Sequence, residues 1–149
     1  MKILIVTNNP MVLAKYPKTA VFYGEGVKDI LVRVRDMVHR GAKVLNHPQS
    51  GSIAPGVSPY KSLIATCDNS HGAPRTDFDC HGAARTDFDS LRLIESALAA
   101  LAAAPAPPAL PAAPPGQTGY DERTLEDFQV LDLDLLDSAL QSMSAVYDL

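Results

Sequence analysis

The sequence has no tryptophan, only two cysteines, and none of the motifs typical of nucleotide-dependent enzymes. Cys67 and Cys80 form no Cys-x-x-Cys redox pair. No Gly-x-x-x-x-Gly-Lys-Ser/Thr segment is present, and the glycines do not form a dinucleotide-binding fingerprint. The stretch Ser50-Gly51-Ser52 lacks the flanking Gly-x-Ser-x-Gly pattern of a nucleophile elbow. These absences argue against several enzyme classes without identifying one.

The charge and hydropathy patterns argue against nucleic-acid and membrane binding. The formal net charge is -4, with nine Lys/Arg against three acids in 1–66 and four against fourteen in 67–149. We expect these two parts of the chain to face each other in the fold, so that their opposite net charges largely cancel. The apolar run Lys2–Val6 is too short for an export signal, and prolines interrupt the Ala-rich stretch 97–113. With two cysteines that form no redox motif, the sequence predicts a reduced, cytoplasmic protein.

Short apolar runs alternate with segments of helical spacing. The runs predict five strands, at Lys2–Val6, Ala20–Tyr23, Lys43–Asn46, Leu63–Thr66 and Phe128–Leu133. Asn9 and Pro10 are typical of a helix N-cap and first position. Further helical faces are Val27, Ile30, Leu31, Val34 and Val38; Leu91, Ile94, Leu98 and Leu101; and Leu135, Leu136, Ala139, Leu140 and Met143. This order favours a small three-layer α/β sandwich with a mostly parallel, flavodoxin-like sheet.

Two segments interrupt the pattern within what we predict to be a single domain, 1–149. A ten-residue sequence occurs twice in tandem, at His71–Cys80 and His81–Ser90, and is interpreted as a loop insertion at 67–86. A Pro/Ala-rich linker follows at 105–119. Because surface loops tolerate insertion, we expect both segments to be dispensable.

Two polar loops follow predicted strands, at the edge where open parallel sheets bind ligands. The first, 7–10, combines polar side chains with the N–H groups of a helix start, and capping alone explains it equally well. The second, 47–62, offers glycine turns, hydroxyls, an imidazole and a lysine, or is a proline-stiffened surface loop. The candidate ligand-binding residues are Thr7, Asn8, Asn9, His47, Ser50, Gly51, Ser52 and Lys61.

The sequence also contains residues that a metal site or a catalytic site would require. A metal set of Cys67, His71, Cys80 and His81 is disfavoured because the adjacent Cys80 and His81 point poorly at one ion, so we expect neither metal nor cofactor. One alternative remains a small hydrolase or transferase acting on a phosphorylated or acyl metabolite, with His47 as base near Ser50 and Lys61. Catalytic residues stay unassigned.

Several segments of the sequence resemble the GrdX family, and together they span most of the chain. They are Met1–Pro10, Val32–Asp36, His39–Gly41, His47–Ser52, Ser58–Ser62, Asp89–Glu95, Leu125–Gln129 and Leu131–Leu136. That family is encoded with the glycine, sarcosine and betaine reductase systems of amino-acid-fermenting anaerobes. The resemblance implies an association with that reductase system, and we predict an accessory or regulatory protein with reductase components as partners. The helix N–H groups of the first loop and Lys61 of the second favour a small anionic metabolite as ligand. The resemblance carries over no catalytic residue.

Overall fold

The computed structural model describes residues 2–51, 53–67, 85–105 and 119–147. Within them, four strands and four helices follow one another along the chain. In order they are β1 (Lys2–Thr7), α1 (Pro10–Lys15), β2 (Ala20–Phe22), α2 (Val27–His39), β3 (Lys43–Val44), β4 (Ser62–Cys67), α3 (Phe88–Ala103) and α4 (Glu122–Tyr147). The predicted α/β class and the first four predicted strands are confirmed.

The sheet is mixed, with strand order β2-β1-β4-β3. β1 pairs in parallel with β2, whereas β4 runs antiparallel to both β1 and β3. The prediction of a mostly parallel, flavodoxin-like sheet was therefore wrong. Parallel neighbours need a crossover, usually a helix, and the chain between β3 and β4 forms none in its described part. Antiparallel pairing places Ser62, at the start of β4, opposite Thr7, at the end of β1.

The predicted fifth strand, Phe128–Leu133, was also wrong, because this segment belongs to α4. Val130 and Leu131 lie on the solvent side of that helix, at 43% and 42% exposure. Two outward-facing apolar residues gave the segment the dense apolar content of a strand. Asp132 lies one helical turn before Leu136, so the helical spacing of Leu136, Leu140 and Met143 extends into the segment that was interpreted as a strand.

Alternate residues of the two central strands point to opposite faces of the sheet. Leu4, Val6, Leu63 and Ala65 belong to one core cluster with residues of α2 and α3. Ile5 and Ile64 belong to a second cluster with residues of α1 and α4. The sheet therefore lies between two helical layers, as the three-layer prediction requires.

Other local predictions can be checked against the described residues. Asn9 caps α1 by accepting a hydrogen bond from the Met11 N–H, with Pro10 at the first helical position. Two ion pairs, Lys15–Asp137 and Arg35–Glu95, join the basic and acidic parts of the chain. Residues 71–84 of the tandem repeat and residues 106–118 of the linker lie outside the described residues, so the roles of both segments and the single-domain organisation stay predictions. None of the described helices is long and apolar enough to span a membrane.

Candidate functional site

The two polar loops meet at Asn8. Its Oδ1 accepts a hydrogen bond from the Lys61 backbone N–H at 2.8 Å, and its Nδ2 donates to the carbonyl oxygens of Pro59 at 2.9 Å and Glu25 at 2.8 Å. One buried amide thus fastens the end of β1 to the start of β4 and to the segment before α2. A flavodoxin-like sheet would bring the two loops together by placing the first and third strands side by side, whereas in the structure β1 pairs with β4.

Behind Asn8 lies a buried polar network built around the carboxylate of Asp132. Asp132 Oδ1 accepts from the Ser62 backbone N–H at 3.0 Å. Its Oδ2 accepts from Ser62 Oγ at 2.7 Å and from Asn9 Nδ2 at 3.0 Å. Asn9 Nδ2 also donates to the Gln129 carbonyl at 2.8 Å, which ties the α1 cap to α4. The carboxylate is 8% exposed, and these three donors satisfy its charge.

The direction of the hydroxyl hydrogen bonds in this network follows from its partners. The backbone N–H of Asn9 donates to Thr7 Oγ1 at 2.9 Å, and the hydroxyl of Ser62 donates its one hydrogen to Asp132. Across the 2.7 Å contact between Thr7 Oγ1 and Ser62 Oγ, Thr7 must therefore be the donor. The hydroxyl hydrogen bonds run from Thr7 to Ser62 and from Ser62 to Asp132, so both hydroxyl hydrogens are bonded within the protein. We therefore interpret the network as structural.

Asp132 was missed by the sequence reasoning. It occupies the helical phase of Leu136, Leu140 and Met143, and a lone carboxylate on an otherwise apolar helix face was the available signal. The signal was lost because the segment was interpreted as a strand.

A cavity of about 200 Å³ lies next to this network, where the 47–61 loop reaches from α2 and α3 to α4. Its lining is predominantly apolar. The helices contribute Val27, Leu31, Ala97, Leu101 and Leu135, and the loop contributes Pro48, Ile53, Ala54 and Pro55. The polar lining residues include Ser50, Tyr60, Lys61 and Asp132. An apolar cavity with a few convergent polar groups is the usual form of a small-molecule site.

Lys61 is the cation of this cavity. Within the described part of the chain, its ammonium forms neither a hydrogen bond nor an ion pair. Burial lowers the pKa of Lys61 below the ordinary lysine value, and the negative charge of Asp132 opposes this by a smaller amount. By contrast, the hydrogen bond from Lys15 to Asp137 raises the pKa of that exposed lysine. Lys61 therefore carries a charge that its surroundings compensate poorly.

Tyr60 also lines the cavity. Its hydroxyl oxygen accepts a hydrogen bond from Gln129 Nε2 at 2.8 Å, and the hydroxyl hydrogen has no acceptor among the described residues. The hydroxyl of Ser58, another lining residue, bonds instead to the backbone of Tyr60. Tyr60, like Asp132, was absent from the set proposed from the sequence.

The eight proposed residues are placed in different environments. Lys61 and Ser50 line the cavity, whereas Thr7, Asn8 and Asn9 lie behind it with their polar atoms bonded to the protein. The remaining three are on the 47–62 loop.

Gly51 adopts a φ of 103°, and a Cβ added there would lie 2.9 Å from Leu135 Cδ1, so the loop packs tightly on the cavity wall. The His47 side chain is exposed, and its Nδ1 accepts from the Gln49 N–H at 3.1 Å. Ser52 lies outside the described residues. No hydrogen bond joins His47 to a serine hydroxyl in the described part of the loop, so the geometry does not favour His47 as a catalytic base.

No group of three or more His, Cys, Asp or Glu side chains is placed to hold a metal ion within the described ranges. The metal set considered from the sequence is not tested by this, because His71, Cys80 and His81 lie outside those ranges.

Sheet, helices and cavity together define an α/β protein with a small lysine-containing pocket. The profile of the GrdX-like proteins matches residues 4–141, and the chain belongs to this family. No curated protein and no solved structure gives a significant match.

Proposed function

We propose that this protein is an accessory or regulatory component of the glycine, sarcosine or betaine reductase system that binds a small anionic metabolite beside Lys61. The family name supports the link to that system. The observation that carries the ligand proposal is the ammonium of Lys61, which has no hydrogen bond or ion pair among the described residues and lines a predominantly apolar cavity.

An anion is the ligand that this cavity would favour. Burial removes water from the ammonium, and a bound carboxylate or phosphate replaces the lost interaction at a lower effective dielectric than water provides. The free hydroxyl hydrogen of Tyr60 gives such a group a second donor. The volume of about 200 Å³ and the apolar wall select a metabolite of a few heavy atoms with a short apolar part.

The accessory role is favoured over a hydrolase or transferase. Such an enzyme would need a base within about 2.6–3.2 Å of a nucleophile, and the described residues around His47 provide none. Ser50 lines the cavity, and its backbone N–H donates to the His47 carbonyl at 3.1 Å, but among the described residues no hydrogen bond joins its hydroxyl to the His47 imidazole.

A thermal-shift screen tests the ligand proposal. Acetate, phosphate, acetyl phosphate, glycine and betaine are titrated into the full chain, and a ligand at a hundred times its dissociation constant should stabilise the fold by about 2.7 kcal/mol. Lys61→Met should abolish the shift, whereas Lys43→Met, which removes an exposed lysine on β3, should retain it. A shift that survives Lys61→Met would place the binding site elsewhere.

A pull-down tests the accessory role separately. Tagged protein expressed in a native producer is expected to recover components of the reductase system. Recovery of none of them, together with turnover of a metabolite by the purified protein alone, would contradict an accessory role.

A further inference from the structure

The environment of Lys61 suits covalent chemistry as well as ion binding. Lysines buried as structural elements are normally paired, as Lys15 is with Asp137 even at the surface. Lys61 has no such partner among the described residues, and it lines a cavity whose wall is predominantly apolar. A desolvated, unpaired lysine in an apolar pocket is the usual form of an amine nucleophile.

We propose that Lys61 condenses with the carbonyl carbon of a small 2-oxo acid to form an imine. This rests on the proposed function, because it assigns a substrate class to the same pocket. A 2-oxo acid carries its carboxylate one bond from the carbonyl carbon. The carboxylate can therefore pair with the positive charge of Lys61 before the reaction, and with the charge of the protonated imine after it.

The reaction balances without an oxidant, reductant or second substrate. The neutral amine of Lys61 attacks the carbonyl carbon, so the carbon–nitrogen bond forms as the π bond of the carbonyl breaks. Transfer of one proton from the nitrogen to the oxygen gives a carbinolamine. Loss of the hydroxyl group with the remaining nitrogen proton, as water, then gives the imine. Removal of water from the apolar cavity favours the condensed product.

Neighbouring groups can assist the proton transfers. The Tyr60 hydroxyl retains a hydrogen that can be donated to the developing alkoxide. Asp132 lines the same cavity, and its negative charge favours the protonated imine. Burial lowers the pKa of Lys61, which enlarges the fraction of neutral amine near neutral pH.

The inference is tested by reductive trapping. The full chain is incubated with glyoxylate and cyanoborohydride at neutral pH, and the product is analysed by intact mass and peptide mapping. We expect one carboxymethyl group on Lys61, introduced at least tenfold faster than on the exposed Lys43 of the same molecule. Saturating acetate should slow the labelling of Lys61 and leave that of Lys43 unchanged.

Two substitutions separate charge from nucleophilicity. Lys61→Arg keeps a cation but cannot form the imine, so it should lose the label while weakening the acetate-induced thermal shift less than Lys61→Met does. Equal labelling of Lys61 and Lys43 would overturn the imine inference, and if the acetate shift persists, the proposed function stands. Absence of both the selective label and every ligand-induced shift would overturn both proposals.

Discussion

Two charged side chains line the same cavity and meet opposite conditions. The carboxylate of Asp132 accepts three hydrogen bonds and joins α4 to β4 and to the cap of α1. The ammonium of Lys61 receives no comparable partner within the described residues. A charge whose partners are all supplied by the protein serves the fold. A charge left without partners beside a cavity is available to a ligand.

The two regions depend on each other. The Asp132 network holds the first half of α4 against the start of β4, and α4 contributes Leu135 to the cavity wall. Asn8 fixes the backbone of Lys61 from the other side. The hydrogen-bonded Asp132 network therefore helps to position Lys61. Substitutions in the network should mainly change stability, whereas substitutions of Lys61 should mainly change ligand binding.

The largest effect is expected for Asp132→Ala. This change leaves the Ser62 N–H, the Ser62 hydroxyl and one Asn9 amide hydrogen without their acceptor, which should destabilise the fold by about 2–4 kcal/mol. Chemical denaturation measures the loss. Asp134→Ala, at an exposed position on the same helix, should change stability by no more than about 0.5 kcal/mol. Equal effects would show that the network is not structural.

A smaller loss is expected for Asn8→Ala, by about 1–3 kcal/mol, because two carbonyls and one N–H lose a buried partner. Freed from this contact, Lys61 should also bind small anions more weakly in the thermal-shift assay. The matched control is Gln141→Ala, which removes an exposed amide from α4. Unchanged stability and unchanged anion binding would remove Asn8 from the account.

Lys61→Met should change stability in the opposite direction, because we expect it to stabilise the unliganded protein at neutral pH. Burial lowers the folded-state pKa of Lys61, so between that pKa and the ordinary value of about 10.4 the unfolded chain binds more protons than the folded one. Wild-type stability should therefore rise with pH across this window relative to the variant. Denaturation curves at several pH values measure the difference. A variant advantage that grows with pH would contradict the assignment of Lys61 as poorly compensated.

The smallest effect is expected for deletions in the tandem repeat and in the Pro/Ala-rich linker. Deleting 71–80, or shortening 105–116, should shift the melting temperature by no more than a few degrees, because long loops add only small closure costs. Acetate or phosphate shifts, where present, should be unaffected. Loss of folding in either deletion would show that these segments belong to the core.

Local patterns made the early elements predictable. Asn9-Pro10 marks the start of α1, and the Val27, Ile30, Leu31, Val34 and Val38 spacing defines the inner face of α2. Strand direction was not predictable from such patterns, because residues of β4 alternate between faces in the same way whether it runs parallel or antiparallel to β1. An indication of antiparallel pairing was available, because the described residues between Val44 and Ser62 form no helix that could serve as a parallel crossover.

The candidate site was predictable only in part. Lys61 was chosen because a cation directly precedes a predicted strand, and in the structure it lines the cavity. Asp132 and Tyr60 were missed because their importance depends on contacts across more than sixty positions of sequence, to Ser62 and Gln129 respectively. His47 was chosen for its chemistry, but its imidazole bonds to its own turn.

The most direct test of the central claim is an NMR pH titration of the Lys61 side chain, assigned by its absence in Lys61→Arg. Without ligand, we expect the pKa of Lys61 to lie below that of ordinary lysines. With saturating acetate or phosphate, this pKa should rise, because the bound anion stabilises the ammonium. An unliganded pKa at or above the ordinary value, or a pKa that no small anion changes, would contradict the claim that Lys61 is a ligand-binding cation.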